Sequence, residues 1–236
     1  MRKFAVFDID GTLIRWQLYH AIADRLVKLG AVEASDFESI RSARMEWKRR
    51  SPNSSFKTYE NELIAAYELA LKKITTEQLD KAVESVFEEY KDQVYVYTRK
   101  LIEELKAKGY LLFAISGSQS EIVEKIAEHY GFESYLGTVY EREGNRFTGQ
   151  KVFHAHHKDE ALKKLIKTYG LDLKDSYGVG DSAGDIAMLE MVENPISFNP
   201  ESELFAHSRA NGWKIVVERK NMVYELEASD GSYILA

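Results

Sequence analysis

Three short runs of consecutive apolar residues break into polar, glycine-containing turns, and helical stripes fill much of the chain between them. Phe4-Ala5-Val6-Phe7 stops at Asp8, Asp10 and Gly11. Tyr110-Leu111-Leu112-Phe113-Ala114-Ile115 follows Gly109 and leaves through Ser116-Gly117-Ser118. Ser176-Tyr177-Gly178-Val179-Gly180 runs into Asp181-Ser182-Ala183-Gly184-Asp185, with an apolar helix through Leu189 after it. Unbroken apolar runs of this length suit strands buried on both faces. Strands of this kind alternating with helices predict an α/β fold, a doubly wound and mostly parallel sheet whose carboxyl edge gathers the three turns. Ser118 and Glu121 have capping-box spacing, so the helix after the second strand is expected to start there.

The residues between the first two strands read as helix almost throughout and are too many for one crossover connection. They predict a separate helical cap over residues 15–95, leaving 1–14 and 96–236 as the core. Ser35 with Glu38 and Thr75 with Gln78 have capping-box spacing, and Gly30 marks a helix stop. Leu63, Ala66, Tyr67 and Ala70 recur at helical spacing, as do Val83, Val86, Phe87 and Tyr90, which marks the core of a bundle. Thr138 to Arg142 and Arg146 to Gly149 flank Glu143-Gly144-Asn145 as a hairpin, and Met222 to Leu226 with Tyr233 to Leu235 predicts another.

Charge narrows the partners. Lys and Arg number 32 against 38 Asp and Glu, so the net charge of −6 repels a nucleic-acid backbone. The absence of cysteine excludes disulfides, thiolate metal sites and cysteine nucleophiles. Phe4 to Phe7 is far too short for a signal-peptide core or a membrane span, so a cytoplasmic protein with neither nucleic-acid nor membrane partners is expected.

Chemistry concentrates at the three turns. Asp8 and Asp10 lie two apart and share one side of an extended strand end, where like charges so close call for a cation or a raised pKa. One carboxylate could serve as nucleophile and the other as acid and base for phosphoryl transfer, or the pair could cap the turn with Gly11-Thr12. Asp181 and Asp185 bring two more carboxylates to the same edge, for a hard divalent ion or to complement a helix N-terminus. Ser116 and the Gly117 amide offer an anion site. Lys158 is the cation best placed by order to neutralise a phosphate, with Lys151 as runner-up. His154, His156 and His157 invite a metal reading but lack a partner cluster of nitrogen or sulfur ligands. Trp16, close after the first turn, is a candidate for lining a substrate cleft. Arg41, Arg44, Lys48, Arg49 and Arg50 against Glu46 make a locally basic stretch that reads first as a solvated helix face.

Taken in order, Asp8-Ile9-Asp10-Gly11-Thr12, Ser116-Gly117-Ser118, Lys158 and Gly180-Asp181-Ser182-Ala183-Gly184-Asp185 resemble the four motifs of the haloacid-dehalogenase-like phosphatases. The helical insert after the first motif and the Gly-Asp-Ser of the last resemble the phosphoserine-phosphatase-like branch. The resemblance implies Asp8 as nucleophile forming an aspartyl-phosphate and Asp10 as general acid, then base. It implies Ser116, the Gly117 amide and Lys158 on the phosphoryl oxygens. Mg²⁺ is implied on Asp8, the Asp10 backbone carbonyl and Asp181, with Asp185 supporting it or ligating through water. An acid at position 10 argues against a dehalogenase or a transport ATPase. Phosphoserine phosphatases carry a glutamate where this chain has Gln17, so phosphoserine is not the expected best substrate. The function implied is Mg²⁺-dependent hydrolysis of a small phosphorylated metabolite. The alternatives are a phosphotransferase passing the group to an alcohol, or a non-catalytic phosphometabolite-binding regulator on the same fold.

Overall fold

The computed structural model describes residues 2–49, 56–152, 157–220, 222–229 and 232–235. In chain order the elements are β1 (Phe4–Phe7), α1 (Leu18–Lys28), a 3-10 turn (Ala34–Phe37), α2 (Glu38–Lys48), α3 (Phe56–Leu71), α4 (Thr76–Tyr90) and α5 (Val96–Ala107). Next come β2 (Leu111–Gln119), α6 (Ser120–Tyr130), β3 (Ser134–Glu143), β4 (Arg146–Val152), α7 (Lys158–Tyr169) and β5 (Tyr177–Gly180). A 3-10 turn (Ala183–Asp185), α8 (Ile186–Leu189), β6 (Asn194–Phe198), α9 (Ser202–Asn211), β7 (Lys214–Arg219), β8 (Met222–Ser229) and β9 (Ser232–Leu235) complete the chain. Two compact units result, one of Met1–Trp16, Tyr90–Thr138 and Phe153–Ala236, the other of Gln17–Glu89 and Val139–Val152.

In the first unit the strand order is β3-β2-β1-β5-β6-β7-β8-β9. The strands from β3 to β7 run parallel, and β8 and β9 add antiparallel at one side. Every residue of β1 is buried, because both sheet faces are covered, as its unbroken apolar run predicts. Phe4 and Val6 pack with Phe113, Leu162, Leu165 and Leu189, while Phe7 meets Phe132 edge to face at 5.7 Å between ring centroids. Successive strands leave β1 toward β2 on one side and from β5 onward on the other. The point where the order reverses, between β1 and β5, is where an open α/β sheet leaves a crevice at its strand ends.

The second unit packs α1 to α4 with the β3–β4 hairpin. Tyr67 is fully buried at its centre, with Leu63 and Ala70 on the same stripe. Thr75 and Gln78 form the capping box read from their spacing, at 2.8 and 3.2 Å. Gly30, at φ +65°, ends α1.

Several boundaries differ from the sequence reading. Residues up to Trp16 stay with the first unit because Ile14 bridges Val94, the Arg15 amide donates to the Gln93 carbonyl at 2.9 Å, and Trp16 stacks on Tyr90. The hairpin from Val139 to Val152 joins the helices instead of the core. The Tyr140 and Tyr19 hydroxyls meet at 3.0 Å, Arg142 makes a bidentate pair with Asp80, and the Thr76 amide donates to Asn145. The Ser118–Glu121 capping box does not form. Strand β2 continues to Gln119, which is the N-cap of α6, and the Ser118 amide is spent on the Ser116 hydroxyl at 3.0 Å. Ser35 and Glu38 likewise yield to Glu33 and Asp36, which cap the short 3-10 turn reciprocally.

Candidate active site

The backbone first fixes the turn after β1. The Asp8 amide donates to the Val179 carbonyl of β5 at 2.9 Å, so Asp8 leaves the sheet beside the β5 end. The chain then folds back through Gly11, whose φ of +78° suits glycine. A Cβ there would stand 2.2 Å from Oδ2 of Asp181, so only glycine lets the two turns approach this closely. At Gly180 a Cβ would stand 2.5 Å from that of Asp185, which removes any side chain from that position too.

Lys158 opens α7 and is buried at 4% exposure. Its Nζ donates to Oδ1 of Asp8 and to Oδ1 of Asp185, both at 2.6 Å. Asp185 is fully buried, and its Oδ2 accepts from the Asp181 amide, the Ser182 amide and the Ser182 hydroxyl at 3.0–3.1 Å. Asp181 is half-buried and accepts from the Thr12 hydroxyl at 3.3 Å. Ser116, fully buried, donates to Oδ2 of Asp10 at 3.0 Å. Around Ser116 the ladder between β2 and β3 shifts register, between Ile115 and Gln119, which takes this stretch out of regular pairing. The Gly117 carbonyl accepts from the Thr138 hydroxyl at 2.6 Å.

The charges do not balance. Burial pushes the Asp8 carboxyl up to about 7; Lys158 opposes this, while Asp185 and Asp10 reinforce it. Asp181 is raised well above the usual carboxylate range, again by burial first and then by Asp8 and Asp185. Burial alone would lower the Lys158 ammonium, but Asp185 and Asp8 override it and hold the proton on. Ligand oxygens of Asp8, Asp181 and Asp185 lie within 4.8 Å of one another. An all-oxygen donor set with surplus negative charge fits a hard divalent cation such as Mg²⁺. Asp185 already commits both oxygens to Lys158 and the loop, so Asp8 and Asp181 are the carboxylates best able to hold that ion directly.

Asp8, Asp10, Asp181 and Asp185 thus stand at turns that follow strands of the first unit, Ser116 and Gly117 in the irregular last stretch of β2 where a turn was expected, and Lys158 at the start of α7. Lys151 is not among them: it pairs with Glu68 within the second unit. Trp16 is 36% exposed and lies flat on Tyr90 at 6.0 Å, so one ring face is taken. Gln17 begins the second unit as the N-cap of α1, and its side chain does not cap that helix. The Tyr19 hydroxyl is occupied by Tyr140. His154 and His156 lie outside the described residues; His157 is the exposed N-cap of α7. Glu201 was not legible in advance. It binds the acidic turn from 16 residues beyond Asp185, a long-range contact that no local spacing announces.

The profile of the haloacid dehalogenase-like hydrolases matches residues 5–190, which spans every one of these turns. The chain belongs to that family. Within the haloacid dehalogenase-like hydrolases it falls in the phosphoserine-phosphatase-like branch. It is 27% identical over 201 residues to a phosphoserine phosphatase of Methanocaldococcus jannaschii, covering 84% of this chain and 85% of that one. A histidinol-phosphatase of Neisseria meningitidis serogroup C is 24% identical over 234 residues, covering 92% and 99%. A putative hydrolase of Mycobacterium leprae is 31% identical over 145 residues, covering 60% of this chain, which spans about half (48%) of that longer protein. Among solved structures, a protein of unknown function from Bordetella pertussis Tohama I superposes with a TM-score of 0.73 at 23% identity, covering 91% and 98%. A phospho-aspartyl intermediate analogue of phosphoserine phosphatase gives 0.65 at 23%, covering 93% and 94%. At these identities the two structures establish the shared fold. No helix among the described residues is long and apolar enough to cross a membrane.

Proposed function

We propose that this hydrolase is a Mg²⁺-dependent phosphatase that cleaves the phosphomonoester of a small metabolite through a phosphorylated Asp8. The observation that carries the reading is the buried Lys158 ammonium shared at 2.6 Å between Asp8 and Asp185, with the Asp181 carboxylate alongside. A structural ion pair would balance its charges. Here carboxylates are in surplus, an arrangement that suits a site completed by a cation and a phosphate.

When bound, Mg²⁺ screens the carboxylates from the phosphate dianion and polarises its oxygens. Lys158, the Ser116 hydroxyl and the Gly117 amide hold the phosphoryl oxygens. A carboxylate oxygen of Asp8 attacks phosphorus as the bond to the substrate oxygen breaks, and protonated Asp10 gives its proton to that leaving alcohol. Asp10, now a carboxylate, takes a proton from water as the water attacks phosphorus. The Asp8 carboxylate and inorganic phosphate are thereby released. Ser116 steadies Asp10 in the resting site through their 3.0 Å hydrogen bond.

The M. jannaschii and N. meningitidis relatives match most of their own length, which supports a small phosphorylated metabolite as substrate class. Gln17 lacks the carboxylate that would pair with a substrate ammonium, so phosphoserine is not the best substrate in this reading. The test is release of p-nitrophenol from p-nitrophenyl phosphate with Mg²⁺ and with EDTA, followed by a panel of phosphorylated metabolites. Turnover that EDTA removes and Mg²⁺ restores is expected. No turnover of any phosphomonoester, or full turnover after chelation, would contradict the reading.

A further inference from the structure

The segment after β6 carries a feature that the chemistry above leaves unused. Glu201 is the N-cap of α9, a position whose side chain usually accepts a hydrogen bond from its own helix. Glu201 makes no such cap bond. Its Oε1 instead crosses to the Ala183 amide at 2.6 Å, while its backbone N–H donates to the Asp181 carbonyl at 2.9 Å. One residue therefore grips the acidic turn at two points, immediately either side of Ser182.

The grip is built from behind. Asn199 follows β6 with φ +44°, a left-handed conformation that asparagine tolerates better than most residues. Its amide donates to the Val216 carbonyl and its Oδ1 accepts from the Glu218 amide, both at 2.8 Å. Asn199 is thereby fastened to β7 through backbone and side chain together, and Pro200 carries the chain from it to Glu201. The opposite side of the turn is held by Asp185, whose Oδ2 takes the Asp181 and Ser182 amides. Between them the two clamps hold the backbone of the turn at Asp181, Ser182 and Ala183.

We infer that Glu201 is a positioning residue that holds the backbone of the acidic turn and thereby places Asp181 for a divalent cation. The inference rests on the proposed Mg²⁺ site but concerns Glu201 alone. Without the clamp, binding the ion would have to order the turn as well, and the affinity falls by that ordering cost.

The test measures Mg²⁺ binding to the substrate-free protein by calorimetry, with hydrogen exchange of the 181–185 amides read in parallel. Glu201→Ala removes the acceptor and should weaken Mg²⁺ binding about tenfold, the scale of one hydrogen bond, and should speed exchange at Ala183. Glu201→Gln keeps a carbonyl oxygen at the same reach and should stay within about twofold of wild type. Glu201→Asp, one methylene short, should behave like alanine and stands in for it if Glu201→Ala fails to fold. At saturating Mg²⁺ kcat should recover in each variant. Unchanged Mg²⁺ affinity in both short variants would overturn the inference. A glutamine variant as weak as alanine would overturn it too, by making charge rather than position the cause. Wild-type protein that binds no Mg²⁺ would instead sink the cation reading itself.

Discussion

Each unit buries a polar network, and the two networks are built on opposite principles. In the second unit the buried groups are nearly all able to remain neutral. Tyr140 donates to Glu68 at 3.4 Å, which leaves Tyr19 to donate to Tyr140, and Lys151 pairs with the same Glu68. His20 meets the Tyr59 hydroxyl at 3.0 Å and Arg44 on its other nitrogen. Burial holds the His20 imidazole below its ordinary pKa, with Arg44 and Lys48 adding to this against Asp24, and pushes Tyr59 up to about 12. Such a network is complete in itself and its role is to hold helices and hairpin together. At the acidic edge of the first unit, Asp8, Asp181 and Asp185 face one lysine. That network carries more carboxylates than its lysine can neutralise, the imbalance that the proposed cation and phosphate would complete. Balance, more than burial, separates a structural polar cluster from a chemical one.

The strongest way to break this contrast is at Asp8. Asp8→Asn should lower turnover by at least about a thousandfold, because an amide cannot form the acyl phosphate. The same variant should melt higher than wild type in EDTA at pH 8, since it removes a carboxylate that burial disfavours. Lower thermal stability there would show that Asp8 is part of a balanced pair. Lys158→Met tests the other side of the ledger. Removing the only cation that hydrogen-bonds Asp8 and Asp185 among the described residues should cost about 3 kcal/mol of stability, measured by urea unfolding in EDTA.

The pH dependence follows in sign from Asp8. Its folded pKa is raised to about 7, so the contribution of the proton to stability is full below the unfolded value near 4. That contribution is lost as pH rises toward 7. In the proposed site Mg²⁺ would compete with the same proton. The rise in melting temperature on adding Mg²⁺ should therefore be larger at pH 8 than at pH 5.5, and an equal or smaller rise would place the ion elsewhere. Smaller effects are expected in the second unit. Tyr140→Phe should cost about 2 kcal/mol and leave kcat within about twofold, as the hydrogen bonds to Glu68 and Tyr19 are lost without touching the acidic edge. Gln17→Glu should shift the ratio of kcat/KM toward phosphoserine, and an unchanged ratio would remove Gln17 from substrate reading.

Much of this was legible in the sequence because the residues involved are local. Phe4 to Phe7 followed by Asp8 reads as a buried strand with a polar end, and the helical stripe through Leu63, Tyr67 and Ala70 reads as bundle core. The acidic turn announces itself through Asp181 and Asp185 on one short loop. What escaped depends on tertiary partners. Ser118 has the spacing of an N-cap, but pairing with β3 draws the strand on to Gln119, and Ser116 claims the Ser118 amide. The hairpin after Thr138 reads as part of the core by its place in the chain, and only Tyr140 and Arg142 meeting Tyr19 and Asp80 put it with the helices. Glu201 carries no local signal in the sequence and is distinguished only by where its side chain goes.

The central claim is that Asp8 carries the phosphoryl group. The direct measurement mixes Asp10→Asn protein with labelled phosphomonoester bearing a good leaving group, quenches in acid and maps the label by mass spectrometry. With its base removed, the second half-reaction should slow enough for label to accumulate, and that label is expected on Asp8. Label on another residue, or wild-type turnover with no label trapped on either protein, would contradict it.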